Sequence, residues 1–391
     1  MFGFLNNNIL FRSFYNALIV YPCPKNMKYS WNFGILAFLF LMVQLISGLI
    51  LSMHYQSNIF DAFNSIEHII RDVNYGWLLR SIHSNGASFF FIFVYLHLIR
   101  GLYYQTYLVS RGLIWSIGIL IYFLLMASAF LGYVLPWGQM SYWAATVITN
   151  LVTVIPFFGT DLLYWIWGGY SINNATLTRF FILHYLLPFL IFFFVLFHIY
   201  VLHQAGSSSE VGISPIFFSN INKITWFFPY YVVKDLFVCL VVLFIFCIFC
   251  FFYPEYFNHP DNYNYANPLV TPSHIVPEWY FLPYYGLLRS ILSKTFGILV
   301  ALISILCICL QPVIKAYITT KYKNSSFLYL LYIAEINFFF LGIIGSLPPL
   351  YPIIELGLFC IWVHLSIFFI CYPILFYLMK EFDFFMEFKD N

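Results

Sequence analysis

A chain of 391 residues that is 62% hydrophobic and only 8% charged cannot fold as a water-soluble domain. A formal net charge of +2 gives no electrostatic reason for nucleic-acid binding. What remains is an all-α integral membrane protein, in which each span satisfies its own backbone polar groups.

The opening residues, MFGFLNNNILFRSFYNALIV, lack the charged start and small-residue cleavage site of a secretory signal. Eight apolar stretches then have the length of transmembrane helices: 32–53, 77–104, 113–135, 179–203, 232–253, 290–312, 327–347 and 352–378. An even number places both termini on one side. Of the 17 Lys and Arg residues, only Arg71, Arg80, Arg179, Arg289 and Lys294 fall on the opposite side. The positive-inside bias therefore puts the termini on the negatively charged side, cytoplasm or organelle matrix. The two longest loops, 136–178 and 254–289, then face the positive side, and both are rich in Pro, Trp, Tyr and Asn. Long ordered loops usually carry function. The eight cysteines form no ligand framework, and no CxxCH occurs, so any haem is held non-covalently.

The second span carries His83 and His97, and the fourth carries His184 and His198. Fourteen residues of helix make nearly four turns and rise about 21 Å. Each pair therefore lies on one helix face, near opposite membrane surfaces. The two spans run in the same direction, so His83 is level with His184, and His97 with His198. Imidazole suits iron, and two axial ligands leave no open position for a gas. Each level pair is predicted to hold one haem iron. Gly34 and Gly48 on the first span, and Gly118 and Gly132 on the third, repeat the same spacing. Glycine lets a flat macrocycle come close to a backbone. Arg80, Arg100 and Arg179 lie about one turn from these histidines, suited to pair with anionic propionates.

Two other classes fit part of this pattern. A transmembrane ferric reductase or oxidase also pairs histidines on two helices, but normally carries a flavin and nicotinamide domain; only 12 residues follow position 379. A proton-coupled transporter predicts discontinuous helices and inverted halves, and neither is visible in the sequence.

Six stretches then carry a family resemblance: WNFG at 31–34, GYVLPWGQMSYW at 132–143, GTDLLYWIWGGY at 159–170, TLTRFF at 176–181, HPDNYNYANP at 259–268 and PEWYF at 277–281. They resemble the cytochrome b family, the dihaem subunit of ubiquinol–cytochrome c oxidoreductase (respiratory complex III). The resemblance covers nearly the whole chain and is weakest over 327–378. It implies a diheme four-helix bundle within 1–204, and four further spans with the PEWY loop within 205–391. Two haems b are implied, of low potential at His83 and His184 and of high potential at His97 and His198.

The resemblance also implies two quinone sites. At the positive-side site, ubiquinol gives one electron to a Rieske iron–sulfur protein, and the second passes through both haems to a quinone at the negative-side site. Pro277 and Glu278 belong to the first site. A carboxylate beside an apolar pocket has reason to accept a proton there, and Tyr280 and Tyr133 could add hydrogen bonds. His203 and Asp235 would protonate a reduced quinone at the second site, with Ser207, Lys234, Trp31 and Asn32 nearby. Ala144 stands where the family usually has Gly, and is expected to add a methyl beside the positive-side pocket. The implied partners are the Rieske protein, a cytochrome c-type subunit, other complex III subunits and lipids, in a dimeric complex. The implied location is the mitochondrial inner membrane with both termini in the matrix, or alternatively a bacterial plasma membrane.

Overall fold

The computed structural model describes residues 12, 15, 16, 19–107, 111–208, 224–312, 325–371, 374 and 377, with the backbone alone at 325–328. The end of the last predicted span and Lys315, Lys321, Lys323, Lys380 and Lys389 lie outside them.

The first four predicted spans form α1 (Phe33–Ser52), α3 (Gly76–Tyr103), α4 (Gly112–Val134) and α7 (Asn174–Ala205). Between α1 and α3 lies a short α2 (Ala62–Arg71). The start of α7 precedes the predicted boundary because Asn173 and Thr176 close a capping box there: Ala175 N–H donates to Asn173 Oδ1 at 2.8 Å, and Asn173 N–H to Thr176 Oγ1 at 3.2 Å. The loop 136–178 is largely helical, holding α5 (Gln139–Thr149) and α6 (Gly159–Trp167). Gly168 ends α6 with φ +71°, a left-handed conformation that favours glycine.

The remaining spans are α8 (Val232–Phe252), α10 (Lys294–Cys309), α11 (Ser325–Ser346) and α12 (Ile353–Ser366). The sixth span is shorter than predicted. Residues 282–290 form a separate helix, α9 (Leu282–Ser290), and the chain turns extended at Ile291. Ser293 then caps α10, its Oγ accepting from Phe296 N–H at 3.3 Å. Among the described residues, seven helices are long and apolar enough to cross a membrane. With 16 residues, α10 spans about 24 Å, somewhat less than a hydrocarbon core. The chain reads as an integral membrane protein of eight transmembrane helices. A small antiparallel ribbon, β1 (Pro22–Pro24) with β2 (Ile224–Trp226), was not foreseen from the sequence.

Helix α1 packs chiefly on α3, and α4 on α7, giving two pairs that meet in one bundle. Helix α9 packs against α11, α10 and α12. One core runs through both halves of the chain, from Phe40, Phe89 and Phe91 to Tyr280, Leu287 and Leu341. Large apolar side chains on α7 and α8, such as Phe193 and Phe244, remain exposed, as a lipid-facing surface requires.

Candidate functional site

The helix pairing brings the four histidines into two level pairs. Ring centroids of His83 and His184 are 6.3 Å apart, and those of His97 and His198 are 6.4 Å apart. Two imidazoles on opposite sides of one metal, each bonded at about 2 Å, have centroids roughly 6.4 Å apart. Both separations suit bis-imidazole iron.

Tautomers at the first pair fit as well. His184 Nδ1 lies 2.8 Å from the Ser128 carbonyl, which can only accept, so Nδ1 carries the proton. Ser47 Oγ donates to the Val43 carbonyl at 2.6 Å and so accepts from His83 Nδ1 at 2.9 Å. Both Nε2 lone pairs are left free for a metal, the usual outer-sphere arrangement. At the second pair Arg100 Nη2 stands 3.1 Å from His97 Nδ1. A guanidinium can only donate, so this contact favours the opposite tautomer of His97. Among the described residues Arg100 Nε is buried without a partner, which leaves the guanidinium able to turn to an anionic group.

The four glycines face this centre, and an imidazole stands against each of them. A Cβ on Gly48 would lie 3.0 Å from His83 Cε1, and one on Gly132 only 2.5 Å from His184 Cε1. The corresponding distances are 3.2 Å from Gly34 to His97 and 3.3 Å from Gly118 to His198. Each glycine makes room for an imidazole on its packing partner, α1 for α3 and α4 for α7.

A cavity of about 240 Å³ opens beside the first pair. Gly48, His83, Gly132 and His184 line it together with Arg80, Tyr133, Glu278 and Tyr280. Burial pushes Glu278 up to about 7, against the opposing pull of the Arg80 guanidinium. Burial also raises Tyr280, followed by the effects of Glu278, Tyr133 and Tyr95. Three expected residues do not line this cavity. The Arg179 guanidinium donates to the Trp165 and Ile166 carbonyls, so it closes the end of α6 instead of facing an anion. Ala144, on α5, is buried and absent from the lining. Pro277 sits in the loop just before Glu278, outside the lining.

At the other end of the bundle, Tyr21 of the segment leading into β1 stacks on His203, with centroids 4.4 Å apart and planes 19° apart. Its hydroxyl is 3.3 Å from Ser207 Oγ. Asn32 donates to Asp235, Trp31 Nε1 donates to the Ser208 carbonyl at 3.0 Å, and Lys234 Nζ to the Met27 carbonyl at 2.7 Å. The predicted residues thus gather in one region, with His203 and Ser207 joined through Tyr21, while Lys234 is turned to the backbone. Sequence reasoning missed Tyr21, Ser47 and Ser128. No local spacing could have pointed to them, since each comes from a different element than the histidine it touches.

Comparison with known proteins agrees with this geometry. Residues 18–206 match the family described as Cytochrome b/b6/petB, and residues 265–365 match Cytochrome b(C-terminal)/b6/petD. The chain is 45% identical over 377 residues to cytochrome b of Dictyostelium citrinum, covering 96% of each. It is 48% identical over 376 residues to that of Chondrus crispus, covering 95% of this chain and 96% of the relative. Cytochrome b of Rickettsia prowazekii is 47% identical over 367 residues, covering 93% and 91%. A chain of a solved hyperthermophilic respiratory Complex III superposes with a TM-score of 0.89 at 34% identity, covering 97% of this chain and 99% of that one. The chain belongs to the cytochrome b family, the haem b-binding, electron-transferring membrane core of complex III.

Proposed function

We propose that this subunit holds two haems b and works in ubiquinol–cytochrome c reduction across the mitochondrial inner membrane, with both termini in the matrix. His83 and His184 would hold the low-potential haem, and His97 and His198 the high-potential one. Residues 1–204 form the haem-holding part, and 205–391 supply the PEWY loop. When bound, haem b supplies a one-electron carrier with no open coordination position.

The protein's own residues bind quinone and handle protons. At the positive-side cavity Glu278 accepts a proton from ubiquinol, its buried carboxylate poised near neutrality beside Arg80. Tyr133 and Tyr280 shape that cavity and can hydrogen-bond the substrate. At the negative-side region His203 and Asp235 deliver protons to a reduced quinone. Tyr21, Ser207, Asn32 and Trp31 fix their surroundings. A Rieske protein and a cytochrome c-type subunit take the electron released on the positive side. The observation that carries the reading is one cavity lined by both a level histidine pair and Glu278.

The test is turnover from decylubiquinol to cytochrome c in membranes containing the assembled complex. Glu278→Gln is expected to slow ubiquinol oxidation at least tenfold while both haems remain. An unchanged rate would remove Glu278 from the reaction.

A further inference from the structure

Four tyrosines beneath the PEWY turn are joined by a line of hydrogen bonds that the reaction just described does not use. Tyr95 on α3 donates to the Tyr280 carbonyl at 2.5 Å. Its only proton is spent there, so it accepts from the Tyr122 hydroxyl on α4, 3.2 Å away. Tyr122 is now committed as a donor. The 3.1 Å contact between Tyr122 and Tyr284 must therefore run from Tyr284 to Tyr122. The order is fixed throughout: Tyr284 to Tyr122 to Tyr95 to the Tyr280 carbonyl.

Both ends of this line lie on one short segment. Tyr280 belongs to the turn Trp279–Phe281, and Tyr284 to the first turn of α9. The two middle members stand on separate transmembrane helices. The segment is thus tied to α3 and α4 at two points, four residues apart. Tyr122, Tyr280 and Tyr284 are buried, so an unmatched hydroxyl would be costly and phenylalanine would be the cheaper filling. Two more contacts hold the same turn. Tyr280 stacks on Phe91 with centroids 4.0 Å apart, and Trp279 Nε1 donates to Ser88 Oγ at 3.0 Å. Ser88, Phe91 and Tyr95 lie along one face of α3. Glu278 is the residue that leads into this turn.

We propose that Tyr95, Tyr122 and Tyr284 are positioning residues for ubiquinol oxidation, their hydroxyls forming a staple that holds the Glu278–Tyr280 turn against the cavity. The proposal rests on the reading of Glu278 as proton acceptor. The charged and titratable groups acting around Glu278 are Arg80 on α3, Tyr133 on α4, Tyr280 on its own turn, and Glu255 and Asp261 of the preceding loop, these last two acting through Arg80 and Tyr133. None of the three staple tyrosines is needed to ligate iron.

The experiment compares Tyr95→Phe, Tyr122→Phe, Tyr284→Phe and the double variant Tyr95→Phe/Tyr284→Phe with Glu278→Gln in the assembled complex, using decylubiquinol and cytochrome c. Tyr95→Phe is expected to lower kcat about tenfold and leave KM within about twofold, because the turn is displaced and the substrate pocket is not. The rise of rate with pH should move, while the haem spectrum stays that of the parent. In the Tyr95→Phe background, Tyr284→Phe should add little, since the line is already broken. If Tyr95→Phe fails to assemble, Tyr122→Phe and Tyr284→Phe carry the same comparison. Loss of rate in Glu278→Gln with parental kcat and pH profile in all the tyrosine variants would overturn the staple. A parental rate in Glu278→Gln would instead overturn the reading of Glu278.

Discussion

Gly132→Ala probes the haem-holding geometry most sharply. The added methyl would stand 2.5 Å from His184 Cε1, 2.9 Å from Nδ1 and 3.0 Å from Nε2. The ring cannot slide away freely, because its Nδ1–H is held by the Ser128 carbonyl at 2.8 Å. Overpacking of this kind costs about 1–3 kcal/mol, and loss of the hydrogen bond adds about 0.5–1.5 kcal/mol. A combined cost of about 1.5–4.5 kcal/mol weakens haem retention roughly 10- to 2,000-fold at His83 and His184. Gly118→Ala is the internal control: its methyl would meet His198 at 3.3 Å, a much milder contact at the other level. The assay is a reduced-minus-oxidised spectrum with haem quantitation on the purified complex. Gly132→Ala should lose one b-type component, and Gly118→Ala should keep both. A full haem complement in Gly132→Ala, or greater loss in Gly118→Ala, would refute the reasoning.

Other expected outcomes follow from the same geometry. Glu278 is pushed up to about 7, so it is neutral below that pH and anionic above it; if it accepts the proton, ubiquinol oxidation should rise as pH passes through about 7 and then level off, and Glu278→Gln should abolish that rise. Arg179→Ala should leave the haem spectrum unchanged, because its guanidinium binds the Trp165 and Ile166 carbonyls; loss of a haem in that variant would restore it to propionate binding. Tyr21→Leu should slow quinone reduction at the negative-side site, measured as reoxidation of reduced cytochrome b by added quinone, leaving ubiquinol oxidation intact, since its ring covers His203; equal slowing of both reactions would point to a general structural role.

The spans and the paired histidines were legible in the sequence because their signals are local. A run of apolar residues has a length, and four histidines with four glycines share one spacing. The level pairing of His83 with His184 follows from span count alone. Three features were not legible for physical reasons. The role of the glycines depends on which helices pack together, and that pairing of α1 with α3 and α4 with α7 is a tertiary fact. Arg179 is spaced well for a propionate, yet the end of α6 comes close enough to claim it. Tyr21 and Ser207 are 186 positions apart and meet only because the chain before α1 folds back over the end of α7. The sixth span, predicted to start at 290, begins at Lys294, because Ile291 and Leu292 are apolar while the extended backbone at Ile291 and the Ser293 cap carry little hydropathy signal.

The central claim is that two level histidine pairs hold two haems. A redox titration of the purified complex, followed in the b-type absorption band, tests it most directly. Two transitions at separated potentials are predicted, each removed by substitution in its own histidine pair. A single transition, or two that both vanish on changing His83 alone while His97 and His198 are intact, would contradict the account.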